Sequence, residues 1–255
     1  MDKQTKMVVK DSLSQLVKDA VTRVSNFDES DGGHNPFRSR LIDDAYLEAA
    51  KFERSFVTSM GSRGYEQLGR IIAEGAGHTA ARSRITQGPI STSQKAYIEV
   101  LLRDLRGNKQ VPDWQQEVAE LVNLASDGSK ETVSVTSDLY VKTTGGEDLF
   151  FSMKTVKPNL DQTERAKRDL LELIAMNPDH KAYFVLPYNP YGEEREKYNF
   201  TIPFKIFDMR NDPSVLIGKD FWDLLGGEGT YEDLLEVFEE VGEDLQEKLA
   251  QFFEK

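Results

Sequence analysis

The sequence predicts an α/β protein in which a mixed sheet is flanked by helices, with helical additions at both ends of the chain. Two observations carry this. Residues 1–90 repeat apolar positions mainly at helical spacing. From residue 133 the period changes to strand alternation, and a hairpin, a helix and another apolar strand follow in order.

The elements read as follows. Residues 11–27 form a helix, because Leu13, Leu16, Val17, Ala20, Val21 and Val24 share one face. Residues 28–36, DESDGGHNP, are a loop by their Gly, Asn, Asp and Pro content. Helical patterns resume at 41–58 and 64–75. The piece 75–92 is small, polar and basic, and is expected as an extended loop. Helices follow at 93–105 and at 111–125, the second with Pro112 near its start. Residues 133–143 alternate and are β-branched, 144–148 (TGGED) form a tight turn, and 149–155 form a second strand. A helix at 162–176 stops at Asn177-Pro178. KAYFVLPY, 181–188, has the apolar run of a buried strand. After a loop, FTIPFKIFDM (200–209) is expected as a strand that Pro203 confines to an edge or bulge. FWDLLGG is a short helix stopped by glycine. The last helix opens with a Thr230–Asp233 capping pattern. It carries an apolar stripe of Leu234, Phe238, Val241, Leu245, Leu249 and Phe252, which reads as core packing rather than a subunit contact.

Composition excludes several chemistries. The 255 residues contain no cysteine, which removes thiolate catalysis, disulfides and cysteine-based zinc sites. His34, His78 and His180 are isolated and lack zinc-ligand spacing. There is no phosphate-binding P-loop and no nucleophile elbow. No stretch has the length of a signal peptide or membrane span, so a cytoplasmic protein is expected. The net charge of −12 argues at first against a polyanionic partner. However, twelve acids against two lysines lie between Asp220 and Lys255, and the remainder carries only −2. Arg63–Lys109 holds eight basic residues against four acidic ones, and Lys154–Arg168 five against two. Local basic patches of this kind are compatible with DNA.

The chemistry concentrates in SDLYVKTTGGEDLFFSMKTVKPNLDQTE, residues 137–164. Asp138 lies on the first hairpin strand and Lys154 at the end of the second, with Ser152 on the same face as Lys154. A carboxylate and a lysine facing each other across a hairpin are what phosphodiester hydrolysis needs. The acid holds Mg2+, and the lysine steadies the nucleophile or the developing charge. Each residue also has a plainer reading. Asp138 is then a solvated strand residue, Lys154 a lysine protecting an edge, Glu164 a complement to a helix dipole, and Arg82 and Arg84 solvated loop residues.

The hairpin resembles the PD-(D/E)xK nuclease signature. FERSF (52–56), KPNLDQTE (157–164), PYNPYG (187–192) and FWDLLGG (221–227) resemble segments of type II restriction endonucleases, so the likeness runs from about residue 36 to 240. Two positions depart from the signature. Ser137 stands where it has proline, and Ser152 stands where it has an acid. Serine supplies no charged metal ligand. The sequence therefore resembles the Ser-x-Lys variants, which take the missing carboxylate from the next helix. Glu164 is the leading candidate there, with Asp161 and Asp169 behind it. By the same analogy Glu66 adds a carboxylate. The resemblance implies a restriction-endonuclease-like core at 91–220, a mainly helical region at 1–90 and an acidic helical segment at 221–255. It implies metal ligation by Asp138, Glu164 and Met153, with Mg2+ as cofactor, and DNA contacts from Arg82, Arg84, Lys95, Lys157 and Asn159. The expected reaction is sequence-specific cleavage of double-stranded DNA to 5′-phosphate and 3′-hydroxyl ends. The expected agent is a homodimer matched to a palindromic site, accompanied by a methyltransferase that forms no stable complex with it. The alternatives are a structure-specific repair or recombination nuclease and a DNA-binding protein whose site has decayed at Ser152.

Overall fold

The computed structural model describes residues 1–25, 38–42 and 44–253. The expected loop at 28–36, with His34, lies outside them. Among the described residues the helices are α1 (Lys3–Ser25), α2 (Arg38–Leu41), α3 (Asp44–Ser59), α4 (Tyr65–Gly75), α5 (Thr92–Arg106), α6 (Trp114–Asn123), α7 (Leu160–Met176), α8 (Lys219–Gly226) and α9 (Thr230–Phe253). The strands are β1 (Thr79–Ser91), β2 (Lys130–Lys142), β3 (Asp148–Met153), β4 (Lys181–Leu186) and β5 (Val215–Ile217). They form one sheet in the order β1-β2-β3-β4-β5. The first three pair antiparallel and the last three parallel, so the sheet is mixed, as expected.

Both faces of this sheet are buried. Phe150, Ala182, Phe184, Leu186, Val215 and Ile217 point into a core closed by α5, α6 and α7. Leu149, Phe151, Val185 and Leu216 point the other way, into a core closed by α1, α4, α8 and α9. This is strand alternation with an apolar residue at every position, and it explains why β4 reads as an unbroken apolar run. Leu234, Val237, Val241 and Leu245 of α9 are buried in the second core. The side chains of Leu249 and Phe252 lie outside the described set. Glu240 and Asp244 pair with Lys10 of α1, so part of the acidic face is neutralised internally.

Three local expectations are corrected. The stretch 75–92 is not a loop: after α4 it forms β1, an edge strand of 13 residues. Its far side has no strand partner, so polar residues are tolerated there. Pro89 fits because an edge strand has a side on which no amide need donate. Gly88 is required because a Cβ there would come within 3.0 Å of Met176 in α7. Residues 200–209 are not a strand either. Pro203 starts a short 3-10 turn, Pro203–Lys205, and Ile206, Phe207 and Met209 are buried through turns. The actual edge strand is β5. Finally, Asp233 does not close the start of α9. It pairs with Lys6, and Asp223 accepts from the Tyr231 amide at 3.0 Å instead.

Three charges are buried in the first core. Lys167 of α7 is fully buried and paired with Glu117 of α6, and its Nζ lies 4.0 Å from Asp212. The Phe207 and Trp114 rings flank the ammonium at 4.6 and 4.9 Å. Burial pushes the Glu117 carboxyl up, and Lys167 pulls it back. Lys167→Met would strand two acids in an apolar layer. It should lower stability by about 3–5 kcal/mol, read as a fall in the urea midpoint at constant slope. Adding Glu117→Leu should recover part of that loss, because it removes one of the two stranded acids and leaves Asp212. A single variant costing under ~1 kcal/mol would show that the triad contributes little.

Candidate active site

The site forms where β2 and β3 part. Their pairing runs from Lys142 opposite Asp148 to Leu139 opposite Phe151 and then stops. At the next position the Met153 amide donates to a carboxylate oxygen of Asp138 at 2.7 Å rather than to a main-chain carbonyl. β3 meanwhile stays attached to β4 through the Lys154 amide, which donates to Val185 at 2.9 Å. Asp138 therefore fills a wedge between diverging strands. Lys154 Nζ lies in that wedge, 3.1 Å from Asp138, 2.9 Å from Ser152 Oγ and 3.0 Å from the Met153 carbonyl. An ammonium has three protons, and three acceptors here fix its direction. The structure thus brings together Asp138, Ser152, Met153 and Lys154.

β1 shapes the wedge from its other side. The β1–β2 pairing skips Ser83 and Asp138, which would face each other. Ser83 has φ +51°, in the left-handed region that side chains other than glycine and asparagine rarely enter. Both strands turn over at this point. Gly88 packs on Met176 and Ile90 lies in the first core, but Ala80, of the same parity, packs against the second. On β2, Val135 belongs to the first core, and Leu139 and Val141 to the second. Arg82 and Arg84, which regular alternation would place on one face, diverge. The Arg82 guanidinium reaches α4, bonding Glu66 at 3.2 Å and Gln67 at 3.1 Å. The Arg84 guanidinium lies over the Tyr140 ring at 5.3 Å.

Two helices supply further carboxylates from opposite faces of the sheet. Burial raises the pKa of Glu66, as does the negative charge of Asp138, while Arg82 opposes both. Burial also raises Asp169 on α7. Arg165 and Lys154 lower it, and Asp138 raises it again. Glu164 stands elsewhere. It bonds Arg106 at 2.8 Å, an arginine shared with Asp161, and lies 3.9 Å from Arg168. Five residues separate Glu164 from Asp169, a rotation of roughly 140° around the helix axis. Glu164's cation partners, Arg106 and Arg168, are not the residues that form the wedge. The sequence carried a signal for Asp169: it sits three residues after Ala166 and four before Leu173, on the margin of the buried stripe. Nothing in the sequence marks the inversion at Ser83.

The remaining candidates scatter. Lys95 pairs with Glu131 at 2.6 Å, seven residues or roughly 23 Å along β2 from Asp138. Asn159 caps α7, accepting from the Gln162 amide at 2.8 Å. Lys157 lies over the Tyr191 ring at 5.5 Å. It helps line a cavity of about 380 Å3 that also touches Lys154, Glu66, Met60, Tyr65 and Tyr188. Among the described residues no three His, Asp or Glu side chains close on a common point as a preformed metal cage.

Residues 1–242 match the family model described as type II restriction endonuclease, HinfI. The chain belongs to the HinfI family of type II restriction endonucleases. It is therefore a site-specific deoxyribonuclease, and the restriction reading prevails over a structure-specific repair nuclease. Three restriction enzymes of Herpetosiphon aurantiacus are similar over most of their length. HgiCII is 34% identical over 220 residues, which is 84% of this chain and 79% of that enzyme. HgiBI and HgiEI are each 34% identical over 218 residues, or 83% of this chain and 78% of each enzyme. No helix among the described residues of this endonuclease is long and apolar enough to cross a membrane.

The raised pKa of Asp169 has a measurable consequence. A carboxyl raised on folding adds stability below its unfolded pKa, the ordinary aspartate value near 3.8, and loses it as pH rises through the folded value. Against the effect of burial, Arg165, Lys154 and Arg168 lower the Asp169 value and Asp138 raises it, and Asp169 in turn raises its neighbour Glu172, so part of the difference is carried by Glu172. Without metal, Asp169→Asn should therefore gain stability relative to the parent as pH rises from about 4 through the range in which Asp169 ionises. Urea midpoints of both proteins across that range test this. A difference independent of pH would mean that the acid carries no ionisation penalty.

Proposed function

We propose that the endonuclease cuts both strands of a short DNA sequence by Mg2+-dependent hydrolysis at the Asp138–Lys154 wedge. The observation that carries this reading is the triple anchoring of the Lys154 ammonium by Asp138, Ser152 and the Met153 carbonyl. A lysine restrained in this way can position a water against the scissile phosphorus and offset the charge that develops on the phosphoryl oxygens. In-line attack forms the new P–O bond as the bond to the 3′ oxygen breaks, leaving 5′-phosphate and 3′-hydroxyl ends.

The donor set suits a hard dication. Asp138 and the Met153 carbonyl would hold it, with Asp169 as the second carboxylate in the role expected of Glu164. The ion supplies charge neutralisation at the phosphate and acidifies a water. One or two carboxylates with no closed cage is the kind of site Mg2+ takes, because it keeps several of its waters. Ser152 cannot act as a charged ligand, and its hydroxyl serves to hold Lys154. Arg84 and Lys157, both exposed, are the proposed DNA contacts. Two copies of the chain about one axis would match the symmetry of a palindromic site. A separate methyltransferase would protect the host's own sites.

Digestion of a sequenced plasmid with mapped ends should give discrete fragments in Mg2+ and none in a chelator. Asp138→Ala should lower the cleavage rate at least about 100-fold, or about 2.7 kcal/mol of transition-state stabilisation, with an unchanged circular dichroism spectrum. Asp169→Asn should approach that loss. Glu164→Gln, which breaks only the Arg106 and Arg168 pairs, should keep the rate within about threefold. The reverse ranking would return the helix carboxylate to Glu164.

A further inference from the structure

Arg82 of β1 pairs with Glu66 of α4 beside the wedge. Both side chains are largely buried, with the guanidinium 28% and the carboxylate 15% exposed. Arg82 is the residue before Ser83, and the inversion there is what turns it to the α4 side. Its Nε takes Glu66 at 3.2 Å, and Nη1 takes the neighbouring Gln67 at 3.1 Å, so the guanidinium holds one turn of α4 in a fork. Glu66 lines the same cavity as Lys154 and Met153. It is also close enough to Asp138 for the two charges to repel. A carboxylate thus stands beside the metal position, engaged by an arginine, and among the described residues no third acid closes a cage. Arg82 lies on β1, the edge strand, one residue from the wedge where the scissile phosphate must enter.

We infer that Arg82 is a latch: it holds Glu66 off the metal position in the DNA-free enzyme and gives it up when a DNA phosphate takes the guanidinium. A phosphodiester offers two charged non-bridging oxygens that the guanidinium fork can take in place of Glu66 and Gln67, so the exchange keeps Arg82 satisfied. The released Glu66 then joins Asp138 and Asp169, and three acids oppose the cation where two did before. Metal and DNA affinity are coupled in consequence, each binding more tightly in the presence of the other. Divalent cation alone would bind weakly, so the catalytic set would complete only on DNA. The inference rests on the reading of Asp138 as the metal carboxylate.

Mn2+ binding to the DNA-free, full-length protein tests it without any turnover. Electron paramagnetic resonance of free Mn2+ would be measured for the parent, Arg82→Gln, Glu66→Gln and the double variant. Removing a positive charge near a cation site tightens binding by itself, so the informative quantity is the coupling between the two changes. In the parent background Glu66 is latched, and Glu66→Gln should change the Mn2+ dissociation constant less than about twofold. In the Arg82→Gln background the same change should weaken binding at least about fivefold, the lower end of ordinary coupling. Equal effects of Glu66→Gln in both backgrounds would overturn the latch. Arg82→Lys keeps the charge but not the fork, and should show an intermediate dependence on Glu66. It carries the test if Arg82→Gln folds poorly. Asp138→Ala should abolish Mn2+ binding in every background. If it does not, the reading of the active site has failed, and not the latch alone.

Discussion

The architecture of the site depends on one hydrogen bond, from the Met153 amide to the Asp138 carboxylate. A strand amide must find an acceptor, and in a regular hairpin the partner strand's carbonyl provides it. Here β2 has moved away, and a side chain takes over. That exchange lets β2 and β3 part without leaving a buried amide unsatisfied. It fixes the carboxylate to main chain rather than to another side chain. It also leaves the Met153 carbonyl and the Lys154 ammonium facing the same opening. The parallel partner β4 makes the arrangement stable. Lys154 is held by its own amide to Val185, so parting from β2 does not release the end of β3.

The two faces of the sheet then contribute separately. Because Leu149, Phe150 and Phe151 bury alternately into the two cores, helices must pack on both sides. α4 approaches the wedge with Glu66 from one side, and α7 with Asp169 from the other. Each acid is half-withdrawn from water by the packing that positions its helix, which raises its pKa. Stability is given up at these positions in the form of ionised acids near Asp138. A dication in the wedge would relieve Asp138 and Asp169, and Glu66 as well once Arg82 gives it up.

The α/β class, the hairpin and most helices were legible in the sequence because they follow from periodicity. So was the pairing of Asp138 with Lys154 and Ser152, since strand alternation dictates which side chains share a face. β1 was not legible, because its alternation is broken three times: Ser83 inverts the strand, Gly88 makes room for Met176, and Pro89 supplies no amide. The 200–209 segment misled for the opposite reason. Its apolar residues are as dense as a strand's, but turns bury them. Which acid of α7 serves the site is less legible, because Asp161, Glu164 and Asp169 lie close along the chain but at different angles around the helix. Arg106 of α5, which holds Glu164, is 58 residues distant, and no local pattern announces it.

Serine at 152 can be understood from these placements. An acid on β3 beside Lys154 would compete with Asp138 for the same ammonium and add a fourth negative group to a wedge already bordered by three. Ser152 Oγ instead accepts one lysine proton without charge. Asp169, the carboxylate proposed to replace it, rides on α7, anchored through buried residues such as Leu170 and Leu173. Its distance from the strand is therefore set by helix-to-sheet packing and not by the hairpin. That separation uncouples two jobs that an acid on the strand would perform together. Lysine orientation is kept within β2 and β3, by Asp138, Ser152 and the Met153 carbonyl. The charge around Asp138 is set apart from the hairpin, by Glu66 on α4 and Asp169 on α7.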